Sequence, residues 1–327
     1  MPSGDLRIER LGRVFGAEDG PDWMVSHAAY PAPVLLAPDH LRVFIVARDG
    51  DNRGAVGWID VDPADPVRVT AVSPEPCLLP GGLGTFSDRG ISIGCVLPHE
   101  GALWMYYMGW NKSADVPFRN AIGLAVDASG TGERFEPAFE GPLVDRSRFD
   151  PFTLSYPFVT PPGPGDGRWH MLYGTSRGGG TDEDQMHHVL TEAWSEDGID
   201  WQPGGADVVG LAKDEFGLSR PWIVRMDGQE HLFHAIRRKQ YSIGHAVRDP
   251  ESENGAWQRL NADVLGPGTD AWEDSATCYP ALIRAGGRLL MFYNGNGYGR
   301  TGLGVAVLDG VGWMGLARAN SDQTDSV

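Results

Sequence analysis

"EDSATCYPALI", residues 273–283, decides the fold, because it is one of five related stretches in the chain. The others are "SHAAYPAPVLL" (26–36), "DRGISIGCVL" (88–97), "DPFTLSYPFV" (150–159) and "EFGLSRPWIV" (215–224). Each begins polar, often acidic, reaches a Pro (Gly in the second) and continues as an apolar run. The reference positions Pro31, Gly94, Pro157, Pro221 and Pro280 are spaced by 63, 63, 64 and 59 residues. Such a period marks a repeat architecture. Two further runs follow each stretch, for example "LWMYYMGWN" and "NAIGLAVDASG" in the second copy. Short aromatic and β-branched runs bounded by Gly, Asp and Asn read as strands joined by hairpins. No segment sustains a 3.6-residue period, so little helix is expected. Five copies of a three- or four-stranded unit predict an all-β, five-bladed β-propeller. The last copy lacks a strand, and "DLRIERLGRV" (5–14) is expected to supply it and close the ring. No composition break divides the chain, which reads as one domain over 1–327 with a polar tail from about 317.

Composition narrows the function classes. The net charge is −17, with 27 basic and 44 acidic residues, which disfavours nucleic acid or an anionic membrane as partner. No apolar stretch reaches the ~18–20 residues of a membrane span. "MPSGDLRIER" has no signal-peptide character. Cys77, Cys95 and Cys278 make neither a disulfide framework nor a metal-ligand spacing, so a reducing, cytoplasmic setting is expected. No cofactor and no catalytic metal are expected.

Propeller geometry brings the start of each first strand, and the hairpin between strands two and three, to one end of the ring. Asp88, Glu215 and Asp274 lie six positions before their reference residues, and Asp150, Asp214 and Glu273 lie seven before theirs. Acids around one cavity repel one another, which splits their pKa values and suits acid/base work. Asp88, Asp150, Glu215 and Asp274 are therefore the catalytic candidates. The bland alternative is that these acids hold loops by accepting backbone hydrogen bonds. The first repeat instead offers His27, four positions before its Pro. The hairpins supply Arg48, Asp49, Trp110, Arg119, Arg177, Arg237, Asn294, Tyr298 and Arg300, and Arg220 precedes the fourth reference Pro. Arginines pointing inward would grip a phosphate, carboxylate or sulfate. Salt bridges to neighbouring acids are the competing use. Trp110, Tyr156 and Tyr298 offer faces for a sugar ring.

"MYYMGWN", "RNAIGLAV", "SEDGIDW" and "MFYNGNGYGRTGLGVAV", with the acidic starts and "YP", resemble the five-bladed propeller superfamily of glycoside hydrolase families 43, 32, 62 and 68 and the related mannoside phosphorylases. The likeness runs over roughly residues 20–308. It implies a carbohydrate-active enzyme with its substrate in a central funnel. Where the hydrolases carry a first-blade base Asp, this chain has His27 and Ala28. The third-blade Asp is matched by Asp150. Ser219 and Arg220 stand where the acid Glu is expected, with Glu215 further back. The resemblance thus implies a glycosidase-type hydrolase acting on a small carbohydrate or sugar phosphate. A phosphorylase or transferase using phosphate or a nucleotide sugar, and a non-catalytic sugar-binding propeller, are the alternatives.

Two motifs mislead. "GYGRTG" (297–302) fits the dinucleotide fingerprint, but "LGVAVLDG" after it repeats the third-strand pattern instead of starting a helix. "GTSRG" (174–178) fits a nucleophile elbow, yet "GGTDEDQMHH" follows and the repeat makes it a hairpin.

Overall fold

The computed structural model describes residues 6–163, 167–182, 185–226, 228–250 and 255–309, the side chains of 261 and 262 excepted. The tail from about 317 lies outside the described residues. The architecture is all-β. Strand β1 (Arg7–Phe15) comes first. A first antiparallel group is β2 (Ser26–Ala37), β3 (His40–Arg48), β4 (Gly54–Val61) and β5 (Val69–Val72). The second is β6 (Gly90–His99), β7 (Ala102–Asn111), β8 (Arg119–Asp127) and β9 (Glu136–Pro137). The third is β10 (Leu154–Thr160), β11 (Trp169–Ser176), β12 (His188–Ser195) and β13 (Gln202–Pro203). The fourth is β14 (Gly217–Met226), β15 (Gln229–Arg237), β16 (Tyr241–Arg248) and β17 (Gln258–Leu265). In the fifth, β18 (Cys278–Ala285), β19 (Arg288–Asn294) and β20 (Leu303–Asp309) are joined by β1, paired antiparallel with β20.

Parallel contacts Gly54↔Gly90 and His188↔Gly217 join the groups two by two, so three hydrogen-bonded sheets result. The first strands also pack in succession: β2 on β6, β6 on β10, β10 on β14, β14 on β18 and β18 on β2. Their apolar residues form the largest core cluster, which runs through every group. Among the described residues no helix is long and apolar enough to cross a membrane.

Each first strand carries a register shift at its reference residue: Ala29/Ala32, Ile93/Cys95, Ser155/Phe158, Ser219/Trp222 and Cys278/Ala281. Such a bulge bends the strand and re-aims a side chain. The residue before each Pro has positive φ: Tyr30 (56°), Tyr156 (29°), Arg220 (52°) and Tyr279 (59°). Non-glycine residues adopt that conformation only at a cost of about 1–3 kcal/mol, and such strain gathers at sites of function. The second repeat differs for a steric reason. A Cβ on Gly94 would lie 2.1 Å from the Pro157 carbonyl oxygen, so the neighbouring strand leaves room only for glycine.

Candidate functional site

A cavity of about 310 Å³ opens where the five groups meet. Four repeat positions build it. The bulge residues Tyr30, Tyr156 and Tyr279 line it, with ring centroids 5.2, 4.9 and 5.3 Å apart pairwise. One position earlier stand Ser92, Ser155 and Ser219. The ends of the second strands contribute Arg48, Trp110 and Arg237, and the starts of the third strands contribute Asn120, His188 and Tyr241. Register fixes these equivalences: Arg48↔Gly54 and Arg237↔Tyr241 are the last pairs of their hairpins, and Trp110↔Asn120 is the last but one of its own. The turn between β19 and β20 adds Tyr298, 37% exposed, whose ring meets Tyr241 at 5.5 Å. Gly297 and Gly302, with φ of 61° and 109°, let that turn fold back, and of "GYGRTG" Tyr298 lines the cavity.

The lining is polar in an unusual way. The buried Asn120 Oδ1 and Ser155 Oγ, and the His188 Nδ1, have no hydrogen-bond partner among the described residues. Burial lowers the His188 pKa to about 4, helped by the charge of Arg237, so the imidazole is neutral at physiological pH. None of the described residues lining the cavity is Asp or Glu. Among the described residues no group of three or more His, Cys, Asp or Glu is placed to hold a metal ion.

The four acidic candidates lie elsewhere, in loops, and each has a holding role. Asp150 is fully buried and accepts a hydrogen bond from the Tyr173 hydroxyl at 2.9 Å. Glu273, in the same register two repeats on, does the same for Tyr293 at 2.8 Å and for Arg10 at 3.1 Å. Tyr173 and Tyr293 occupy equivalent positions of their second strands. Glu215 pairs with Arg259 at 2.7 Å and Arg238 at 3.0 Å, and accepts from the Ala212 amide. Burial opposes its ionisation, but these partners outweigh burial and hold it below the ordinary carboxylate range. Asp88 accepts from the Gly84 amide, and the exposed Asp274 accepts from Asn296. The shared register of these acids therefore repeats an architectural tie between a loop and its own group.

Arg48, Trp110, Tyr156, Arg237 and Tyr298 are the expected contacts that line the cavity. Asp49 instead closes its hairpin with Arg53. Arg119 pairs with Asp145 at 2.8 Å, and Arg177 with Asp207 at 2.8 Å. Asn294 ties the fifth group to the first, accepting from the Tyr30 amide and donating to the Ala28 carbonyl. His27 is buried against Ser26. Burial, with the charges of Arg48 and Arg300, lowers its pKa to about 4. Arg300 is exposed outside the lining. Arg220 is sealed at 1% exposure, donating to the backbone oxygens of Ile93, Gly94 and Pro31. The serine row, Asn120, His188, Tyr30, Tyr241 and Tyr279 were not expected. Extending the repeat alignment to the two residues before each reference position, and to the first two residues of each third strand, would have found them.

No known family profile matches the chain. The uncharacterized protein Rv1502 of Mycobacterium tuberculosis (strain ATCC 25618 / H37Rv) is 36% identical over 303 residues, 92% of this chain and 98% of its own length. The uncharacterized protein MT1551 of strain CDC 1551 / Oshkosh aligns over the same shares at the same identity. Among solved structures, a glycoside hydrolase superposes with a TM-score of 0.71 at 15% identity, covering 95% of this chain and 93% of its own. A putative glycosidase from Bacteroides thetaiotaomicron VPI-5482 gives 0.70 at 15% identity, covering 92% and 96%. The GH32 beta-fructofuranosidase BmSUC1 of Bombyx mori gives 0.61 at 14%, covering 86% of this chain and 61% of its own. The chain has the propeller fold of these glycosidases.

Proposed function

The chain belongs to the family of the mycobacterial protein Rv1502, and from that premise we propose a carbohydrate-active protein of glycosidase type. It is a five-bladed β-propeller closed by its N-terminal strand, and its central cavity takes a compact sugar carrying an anionic group. One observation carries this reading: all five repeats send residues to a single cavity that combines aromatic rings, unpartnered polar atoms and two arginines. Aromatic faces suit the apolar face of a sugar ring. Asn120, Ser155 and His188 suit its hydroxyls, because a buried polar atom without a partner costs about 1–3 kcal/mol until one arrives. Arg48 and Arg237 suit a phosphate or carboxylate.

Cleavage by paired carboxylates needs two acids about 5–9.5 Å apart across the bond. Asp88, Asp150, Glu215 and Asp274 are engaged in loops, so we assign them to structure and assign the cavity to ligand recognition. The two arginines favour a second reading, in which the anion is phosphate itself and the protein transfers a glycosyl group to or from it. The acidic surface and the three buried, unpaired cysteines fit a cytoplasmic protein that does not bind nucleic acid.

A calorimetric screen of monosaccharides and their 1-phosphates tests the cavity, comparing wild type with Arg237→Ala and Tyr298→Ala. Sugar phosphates should bind, and each variant should weaken binding roughly tenfold or more. Binding untouched by both changes would remove the cavity from consideration. Release of the phenol from aryl glycosides only in the presence of phosphate, with the sugar appearing as its 1-phosphate, would establish the second reading.

A further inference from the structure

Arg220 holds in the fourth repeat the bulge position that Tyr30, Tyr156 and Tyr279 hold in the first, third and fifth. Its guanidinium is buried, and its donors go to main-chain oxygens of the first two groups. Nε has no partner, and no described carboxylate bonds or pairs with it. Burial lowers its pKa to about 10, which still leaves it charged at neutral pH. A buried cation without a counter-charge costs several kcal/mol. The three tyrosines lie close enough to Arg220 to interact with it electrostatically. Tyr30, Tyr156 and Tyr279 line the cavity together, with ring centroids 5.2, 4.9 and 5.3 Å apart pairwise. Each phenol carries one O–H donor, so three at one wall offer donors to a ligand.

We propose that Tyr30, Tyr156 and Tyr279, backed by the sealed Arg220 guanidinium, form an oxyanion subsite on the axis of the molecule. It would take the phosphate, sulfate or carboxylate of the ligand, with a phenol donating the hydrogen bond and Arg220 supplying charge from beneath. Arg220 is then a positioning residue that sets ligand charge without touching the ligand. This rests on the cavity reading above and adds to it where the anion lies.

Titration calorimetry with inorganic phosphate, glucose and glucose 1-phosphate tests the subsite on wild type, Arg220→Met and Tyr156→Phe. Wild type should bind phosphate, and should prefer glucose 1-phosphate to glucose by tenfold or more. Both variants should lose that preference, affinity for glucose 1-phosphate falling by a larger factor than affinity for glucose. Tyr156→Phe retains the ring, so it decides the matter even if Arg220→Met does not fold. An unchanged preference in the variants overturns the subsite, as does an equal loss for both sugars. Wild type that binds glucose with no preference for its phosphate overturns the subsite and leaves the cavity reading standing. Wild type that binds neither overturns both.

Discussion

Tyr173 shows how a single hydroxyl decides what an acid is for. It donates to Asp150, whose second oxygen has no partner. Replacing it with Phe should destabilise the protein by about 1–3 kcal/mol, since a buried carboxylate then loses a donor. Urea unfolding measures this, and sugar phosphate affinity should not change. Glu215→Gln should likewise lower stability, because Arg259 loses its carboxylate partner and Arg238 loses one of three, keeping Asp214 and Asp263. Glu215 has a folded-state pKa below its ordinary value of 4.5. Its contribution is therefore present above about 4.5 and disappears as the pH falls through the lower folded value. The residue types of the site were legible: Arg48, Trp110, Tyr156, Arg237 and Tyr298 were all visible in the sequence. The acids misled because a shared register carries equally well a repeated catalytic group and a repeated fastening. Only the partner, Tyr173 or Arg259, separates the two, and it lies far away in sequence.

At the scale of strands, the repeat was almost fully legible, since alternating aromatic runs and hairpin residues encode it locally. Which residues face the axis was not. A one-residue bulge at each reference Pro resets the period-two alternation, so facing cannot be extrapolated from the flanking strand. Gly94 illustrates the cost of ignoring that geometry. Gly94→Ala would press a methyl group against the Pro157 carbonyl and push two first strands apart. Overpacking of this kind typically costs about 1–3 kcal/mol. The expected result is a lower melting temperature together with weaker ligand binding, because the displaced strand carries Ser92. A melt identical to wild type would show that the two strands have slack.

At the scale of the molecule, four histidines among the described residues have pKa values lowered chiefly by burial: His27, His188 and His234 to about 4 and His245 to about 3. The unfolded chain takes up protons near 6.5, whereas the folded protein resists until much lower pH. Stability should be fully present above about 6.5 and should decline as the pH falls towards 4. Melting temperature measured across pH 4–8 checks this, and a flat profile would count against buried neutral imidazoles. The pairing of β1 with β20 has a consequence in time. During synthesis, Arg7–Phe15 leaves the ribosome before its partner Leu303–Asp309 by about 290 residues, or roughly 15–60 s at ~5–20 residues per second. For that interval the nascent chain carries an unsatisfied edge at its leading end. Whatever shields that edge, chaperone or transient neighbour, governs how much of the protein a cell recovers.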